Sequence, residues 1–174
     1  MTLLVQNLDR WDRRLCEALA ERRHPLLDLW MRRVTRLGDP LVMVLLGIAL
    51  LAGALPVPGD TARSAAIGLL AAFLAGQVVK RRVSRPRPAL RVGLHSVIHP
   101  PDRFSFPSGH ATAGLAAALP MVLGCPLVFG GPILALGVLI GASRAYLGVH
   151  YPGDVLAGWG IAGAVTLVVA LLTG

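Results

Sequence analysis

His150 and Asp154 stand four residues apart in the run SRAYLGVHYPGD, residues 143–154, between two of the most apolar stretches of a 174-residue chain. Pro152 between them suits the first position of a helix, which puts His150 just before that helix and Asp154 in its first turn. An aspartate so placed can hold one imidazole nitrogen, fix the tautomer and stabilise positive charge on the ring. The other nitrogen is then free to attack, and attack on phosphorus would give a phosphohistidine. A lone His and Asp at this spacing is also an ordinary hydrogen bond or cap. Its meaning therefore depends on its partners.

Three cations are candidate partners. Lys80 and Arg87 lie in the basic run KRRVSRPRP, where Pro86 and Pro88 stiffen the chain around Arg87, and Arg144 comes from the His150 run. Together they suit a phosphate dianion, with arginine forks matching its oxygens. Arg81, Arg82 and Arg91 read instead as anchors for lipid headgroups. The stretch FPSGH, residues 106–110, supplies the rest. Pro107 is expected as a first helical residue, so that Ser108, Gly109 and His110 present backbone N–H groups where anions are favoured. Gly109 allows close approach, and the Ser108 hydroxyl adds a donor. His110 would protonate the leaving alkoxide and then activate water. Lys80, Arg87, Arg144 and the amides would hold the charge of the transition state.

Other chemistries fit less well. His95, His99 and His110 have no carboxylate or thiolate cluster to complete a metal site, and the neighbouring cations would repel a metal. Ser108 lacks the glycine pattern of a nucleophile elbow. The two cysteines, Cys16 and Cys125, sit in unrelated segments with no metal or redox spacing.

The elements that must position these groups read as membrane helices. The chain is 55% hydrophobic with a formal charge of +8. Residues 41–55, 64–79, 111–123, 132–142 with its continuation, and 155–172 approach the length of a bilayer span. A turn is expected over 125–132. The basic blocks, 10–36 and 80–103, lie between or beside these spans rather than on a soluble face, which argues against nucleic acid and for an anionic headgroup or phosphate. The first forty residues are too charged for a cleavable signal peptide. They predict an amphipathic helix with Leu4, Leu8, Trp11, Leu15 and Leu19 on its apolar side. A second short helix follows, with Leu26, Leu27, Trp30, Val34 and Leu37 on its apolar side. Both suit the membrane surface or a packed partner. The expected fold is therefore all-α: one domain over residues 1–174, with interfacial helices in 1–40 and a bundle of about five transmembrane helices in 41–174. Span parity brings KRRVSRPRP, FPSGH and SRAYLGVHYPGD to one face of the membrane.

These three stretches resemble the type 2 phosphatidic acid phosphatase superfamily, which also includes the vanadium haloperoxidases. The family pattern is Lys, six residues, Arg-Pro; then Pro-Ser-Gly-His; then Ser-Arg, five residues, His, three residues, Asp. Lys80, Arg87 and Pro88, Pro107 to His110, and Ser143, Arg144, His150 and Asp154 match it in order. The resemblance implies His150 as nucleophile, Asp154 as its partner and His110 as general acid. Lys80, Arg87, Ser108, Gly109 and Arg144 would bind phosphate, and catalysis would need no metal or other cofactor. It implies a small bacterial integral-membrane member that acts on phosphatidate, phosphatidylglycerophosphate or a polyprenyl-linked phosphate. The alternatives are a polyprenyl diphosphate phosphatase of carrier recycling, a vanadate-dependent haloperoxidase or a non-catalytic lipid-binding protein. Nearly all cations fall on the catalytic side, with only Arg63 opposite, so the positive-inside rule directs the site to the cytoplasmic face of the inner membrane.

Overall fold

The computed structural model describes residues 3–88, 96–100 and 102–173, with side chains from residue 9 onward. Arg91 and His95 lie outside these residues. Among the described residues there are seven α-helices: α1 (Leu3–Glu21), α2 (Pro25–Arg36), α3 (Pro40–Leu51), α4 (Gly59–Arg82), α5 (Gly109–Gly124), α6 (Leu127–Tyr146) and α7 (Pro152–Thr173). The expected all-α bundle is what forms.

At its centre is α5, packed against α4, α6 and α7. Its run GHATAGLAAALP is almost all small residues, which lets neighbouring backbones close in, and ten of its sixteen residues are buried. Its crossing with α6 brings backbones together, since a Cβ on Gly137 would stand 2.6 Å from the Gly114 carbonyl oxygen. Any side chain there would push the two helices apart.

The outside of the bundle is apolar. Leu127, Val128 and Phe129 of α6, Leu167, Val168 and Leu171 of α7, and Ile67, Leu70 and Leu74 of α4 are all exposed. Such a surface is unfavourable in water and expected against lipid tails. Helices α4, α6 and α7 are each long and apolar enough to cross a membrane. Helices α2 and α3, bent by 48° at their junction, reach that length and apolarity only when taken together, as a broken span or a re-entrant loop, and α5 is a shorter apolar helix. The turn expected over 125–132 is only Cys125 and Pro126, and Pro132 lies inside α6. Pro132 is the sixth residue of the helix, past its first turn, and the helix continues through it.

The N-terminal helices turn unexpected faces inward. In α1, Trp11 is exposed, while Asp12 and Cys16 are buried. The bundle side of α1 thus combines the expected Leu19, packed on Ala111, Ala145 and Val155, with Asp12 and Cys16, because a buried arginine described below draws the Asp12 carboxylate in. In α2, Leu26, Trp30 and Leu37 face outward, while Val34 and Thr35 are buried. Burial pushes the Cys16 thiol up to about 12, so it is an inert core residue at neutral pH.

Candidate active site

Four helix ends converge at one end of the bundle. The C-termini of α4 and α6 bring Lys80 and Arg144, and the N-termini of α5 and α7 bring His110 and Asp154. Across them runs the segment after α4, folded back on itself by a bond of 2.8 Å from the Ser105 N–H to the Arg85 carbonyl. These ends surround a cavity of about 710 Å³ whose lining includes Lys80, Arg87, Gly109, His110, Arg144 and His150. Residues spread over seventy positions of sequence thus share one space.

His150 sits immediately before α7 and is buried. Its Nδ1 is 2.6 Å from the Ser105 carbonyl oxygen, and its Nε2 is 3.0 Å from Arg87 Nη1. A carbonyl only accepts and a guanidinium only donates. The ring is therefore the Nδ1–H tautomer, with its Nε2 lone pair turned to the cavity cation. Burial first, then the Arg87 and Arg144 charges, push the imidazole down to about 4 against the pull of Asp154. His150 is neutral at physiological pH, the form a nucleophile needs.

Asp154 stands where the helix reading put it, in the first turn of α7, yet it is not the hydrogen-bond partner of the ring. Its Oδ2 lies 3.8 Å from His150 Nδ1, a charge contact and not a hydrogen bond. The Ser105 carbonyl takes that role. Asp154 Oδ2 instead accepts from the Tyr151 N–H at 2.8 Å, and Oδ1 accepts from Arg85 Nη1 at 2.7 Å. Arg85 also donates to Asp9 at 2.9 Å and Asp12 at 2.7 Å of α1, and stacks 4.0 Å over the Tyr151 ring. Burial opposes its charge, but Asp154 and Asp12 more than compensate and raise its pKa.

The cations differ in their pairing. Arg87 donates to the Asp102 carboxylate and carbonyl, both at 2.7 Å, and to the Val149 carbonyl at 2.6 Å. Lys80 bonds the other Asp102 oxygen at 2.6 Å. Burial would raise the Asp102 carboxyl, but these two cations hold it below the usual carboxylate range. Arg144 donates to Thr35 Oγ1 at 2.8 Å, has its Nε buried without a partner, and forms no ion pair among the described residues. A buried arginine with an unpaired N–H beside a cavity is a ready anion ligand.

His110 projects from the first turn of α5, and its Nε2 lies 2.9 Å from Asp39 Oδ1 at the α2–α3 junction. A Cβ on Gly38 would stand 2.9 Å from the His110 ring, so only glycine lets the junction come this near. Helix α5 begins at Gly109 and not at Pro107. Ser108 is its N-cap, and its hydroxyl accepts from the Ala111 N–H at 3.4 Å. The Ser108 N–H is spent on the Asp154 carbonyl at 3.0 Å. Ser108 is fully buried and does not line the cavity, so it positions α5 against α7, and Gly109 and His110 offer the backbone N–H groups.

Five contributors had no signal in the motifs: Thr35, Asp39, Asp102, Ser105 and Arg85. Asp39 reads from sequence as turn punctuation beside Gly38 and Pro40, and Arg85 as one more base in a basic run. Among the described residues no His, Cys, Asp and Glu cluster could hold a metal ion. His99 lines the cavity mouth with the cations instead.

A helical bundle with an imidazole pair and three cations gathered at one end defines a class. The PAP2 superfamily model matches residues 61–174, and the chain belongs to that family. It is 41% identical over 116 residues, 62% of this chain, to a decaprenylphosphoryl-5-phosphoribose phosphatase from Mycolicibacterium smegmatis, of which it covers 58%. It is 34% identical over 105 residues, 58% of this chain, to the undecaprenyl-diphosphatase BcrC from Bacillus subtilis, of which it covers 50%. The chain spans about half the length of the curated relatives it matches. Among solved structures, it resembles a transmembrane PAP2-type phosphatidylglycerolphosphate phosphatase from Bacillus subtilis. The TM-score is 0.76 at 26% identity, over 98% of this chain and 87% of that one. LpxE from Aquifex aeolicus gives a TM-score of 0.80 at 25% identity, over 91% of this chain and 93% of that one.

Proposed function

We propose that this chain is an integral-membrane lipid phosphatase. One observation carries the reading: a single cavity joins a cationic, imidazole-bearing end to an apolar cleft. Lys80, Arg87, Arg144, His110 and His150 line one part, and Met43, Ile48, Leu51, Leu69, Leu70 and Phe73 of α3 and α4 line the other. A lipid phosphate has the same two halves, and relatives that carry lipid-phosphatase names support the class.

In this mechanism Lys80, Arg87 and Arg144 bind the phosphoryl oxygens together with the N–H groups at the start of α5. The His150 Nε2 lone pair attacks phosphorus, the bond to the lipid oxygen breaks, and His110 protonates the departing alkoxide. Nδ1–H remains on the Ser105 carbonyl, and Asp154 supplies negative charge near the imidazolium-like phosphohistidine. Neutral His110 then takes a proton from water, whose oxygen attacks phosphorus. The P–N bond breaks, and phosphate and free His150 are released. No step calls on a metal or other cofactor.

The second reading, hydrolysis of a polyprenyl diphosphate, differs only in the leaving group, which would be a lipid phosphate. Sidedness follows the charges: the site end is rich in Lys and Arg, while the α3–α4 turn carries the exposed Asp60–Arg63 pair alone. That distribution supports a site on the cytoplasmic face of a bacterial inner membrane.

The test is phosphate release from a panel of phosphatidate, phosphatidylglycerophosphate and polyprenyl phosphates in detergent, with the His150→Ala variant alongside. The expected result is release by the native chain and none by the variant, at unchanged thermal stability. Undiminished release by His150→Ala rejects the mechanism, and no release from any lipid rejects the function.

A further inference from the structure

Helix α2 lies outside the matched family region, yet one of its faces belongs to the site. Arg32, Thr35, Arg36 and Asp39 recur at spacings of three and four, which puts them on one stripe running from α2 into its junction with α3. Two members of the stripe are fixed to the catalytic cluster: Thr35 to Arg144 at 2.8 Å and Asp39 to His110 at 2.9 Å. The other two, Arg32 and Arg36, line the same cavity. Neither has a carboxylate partner among the described residues. Arg32, Arg33 and Arg36 are all exposed, but Arg33 alone of the three does not line the cavity.

The charges in the cavity exceed what one phosphate needs. Its lining holds Arg32, Arg36, Lys80, Arg87 and Arg144 against the carboxylates of Asp39 and Asp102. Those five cations less the two carboxylates leave three positive charges, against about −1.5 to −2 on a monoester at neutral pH. Arg32 and Arg36 contribute two of the five cations, and unlike Lys80 and Arg87 neither is paired with Asp102. They line the cavity on the helix whose Thr35 holds Arg144, with His99 also on the lining.

We propose that Arg32 and Arg36 form a second anion subsite, which binds a further phosphoryl group on the substrate adjacent to the one being cleaved. The inference rests on the lipid phosphatase reading and narrows it: lipids with two phosphoryl groups are preferred over those with one. The shared chemistry is a second phosphate, either the lipid-bound α-phosphate of a diphosphate or the diester phosphate of a lipid headgroup.

Two measurements test it. The first needs no turnover: calorimetric binding of inorganic phosphate and of pyrophosphate to the full chain in detergent. The native chain should bind pyrophosphate at least about tenfold more tightly, the scale of one hydrogen bond to a charged group. R32Q/R36Q should lose that preference while keeping its affinity for phosphate, and R33Q should keep both. The second is kinetic, with two pairs of matched tails: farnesyl phosphate against farnesyl diphosphate, and phosphatidate against phosphatidylglycerophosphate. R32Q/R36Q should raise KM about tenfold or more for the two-phosphate member of a pair and leave the one-phosphate member alone. A selective rise confined to the first pair assigns the α-phosphate, and one confined to the second assigns the diester. Equal weakening of both anions and both members of each pair, or no weakening at all, overturns the subsite. Failure of the underlying function looks different: the native chain would hydrolyse none of the four lipids while the pyrophosphate preference persisted.

Discussion

Asp39 Oδ1 lies 2.9 Å from His110 Nε2 although the two residues are 71 positions apart. The bend between α2 and α3 brings the carboxylate to the ring, and Gly38 gives it room. The groups facing His110 are Asp39 from that bend, Arg144 from α6 and Arg87 from the loop after α4. Two of the three are cations, so Asp39 is the one contact that favours a protonated ring. Asp39→Asn keeps the shape and removes the charge. Its kcat on an alkyl phosphate should fall about tenfold to a hundredfold, part of the 10²–10⁴ typical of a general acid, with little change in KM. On p-nitrophenyl phosphate, whose leaving group needs no proton, the rate of phosphoenzyme formation should be nearly native. Steady-state and burst kinetics on both substrates check this. An equal loss on both would mean that Asp39 only supports the structure.

Arg85 holds three carboxylates, Asp9, Asp12 and Asp154, with its side chain 15% exposed. Removing it would leave buried negative charges facing one another at the joint between α1 and α7. Breaking a buried ion pair from one side typically costs about 3 kcal/mol or more. Arg85→Met should therefore lower the unfolding temperature in detergent markedly and loosen α1, which limited proteolysis would detect. Asp12→Asn should cost less. It deletes one charge, and the amide oxygen still accepts from the Gly153 N–H, now 2.7 Å from Oδ1.

Sequence made the bundle and the cation set legible because both rest on local signals. Apolar run length marks helices α4 to α7, and the Lys80, Arg87, Arg144, His110 and His150 spacings follow from proline and glycine punctuation near helix ends. What stayed hidden is pairing between remote elements. Nothing in the neighbourhood of Asp12 says that it turns inward while Trp11 faces out, because the reason, Arg85, is 73 residues away. The hydrogen-bond acceptor of His150 Nδ1 is hidden for a similar cause. An i, i+4 aspartate is visible in sequence, but the carbonyl of Ser105 has no side-chain signature. The Asp102 clamp on Lys80 and Arg87 and the Thr35 bond to Arg144 belong to the same hidden set.

Acid should destabilise the fold through His150. Its pKa is about 4 in the folded chain, below the ordinary imidazole value near 6.5. Between those two values the unfolded chain binds the extra proton and the folded chain does not. Stability from this site is thus fully present above about pH 6.5 and is lost as pH falls towards 4. Asp102, held low by Lys80 and Arg87, adds a loss in the carboxylate range below that. Unfolding temperatures in detergent at pH 7, 6 and 5 should fall progressively for the native chain and by less for His150→Asn over the same interval. A parallel fall in both would place the titration elsewhere.

The apolar arm of the cavity makes its own prediction. Gly47 lines it, and a Cβ there would meet nothing nearer than Leu69 Cδ2 at 3.8 Å. Leucine at 47 would fill space without a clash at its root and would improve helix propensity, so Gly47→Leu should fold at least as well as the native chain. The consequence for a long-chain lipid is steric. A displaced tail stays among other lipid tails, so no hydrophobic transfer energy is lost, only the packing of the tail in the cleft. The expected effect is accordingly moderate, a rise in KM of about tenfold for a long-chain lipid phosphate, on the scale of one lost packing contact of about 1.4 kcal/mol. A short soluble phosphate ester never enters the cleft and should be hydrolysed with native kcat and KM. Equal kinetics on the long lipid in both proteins would show that the tail runs elsewhere, even with the catalytic end unchanged.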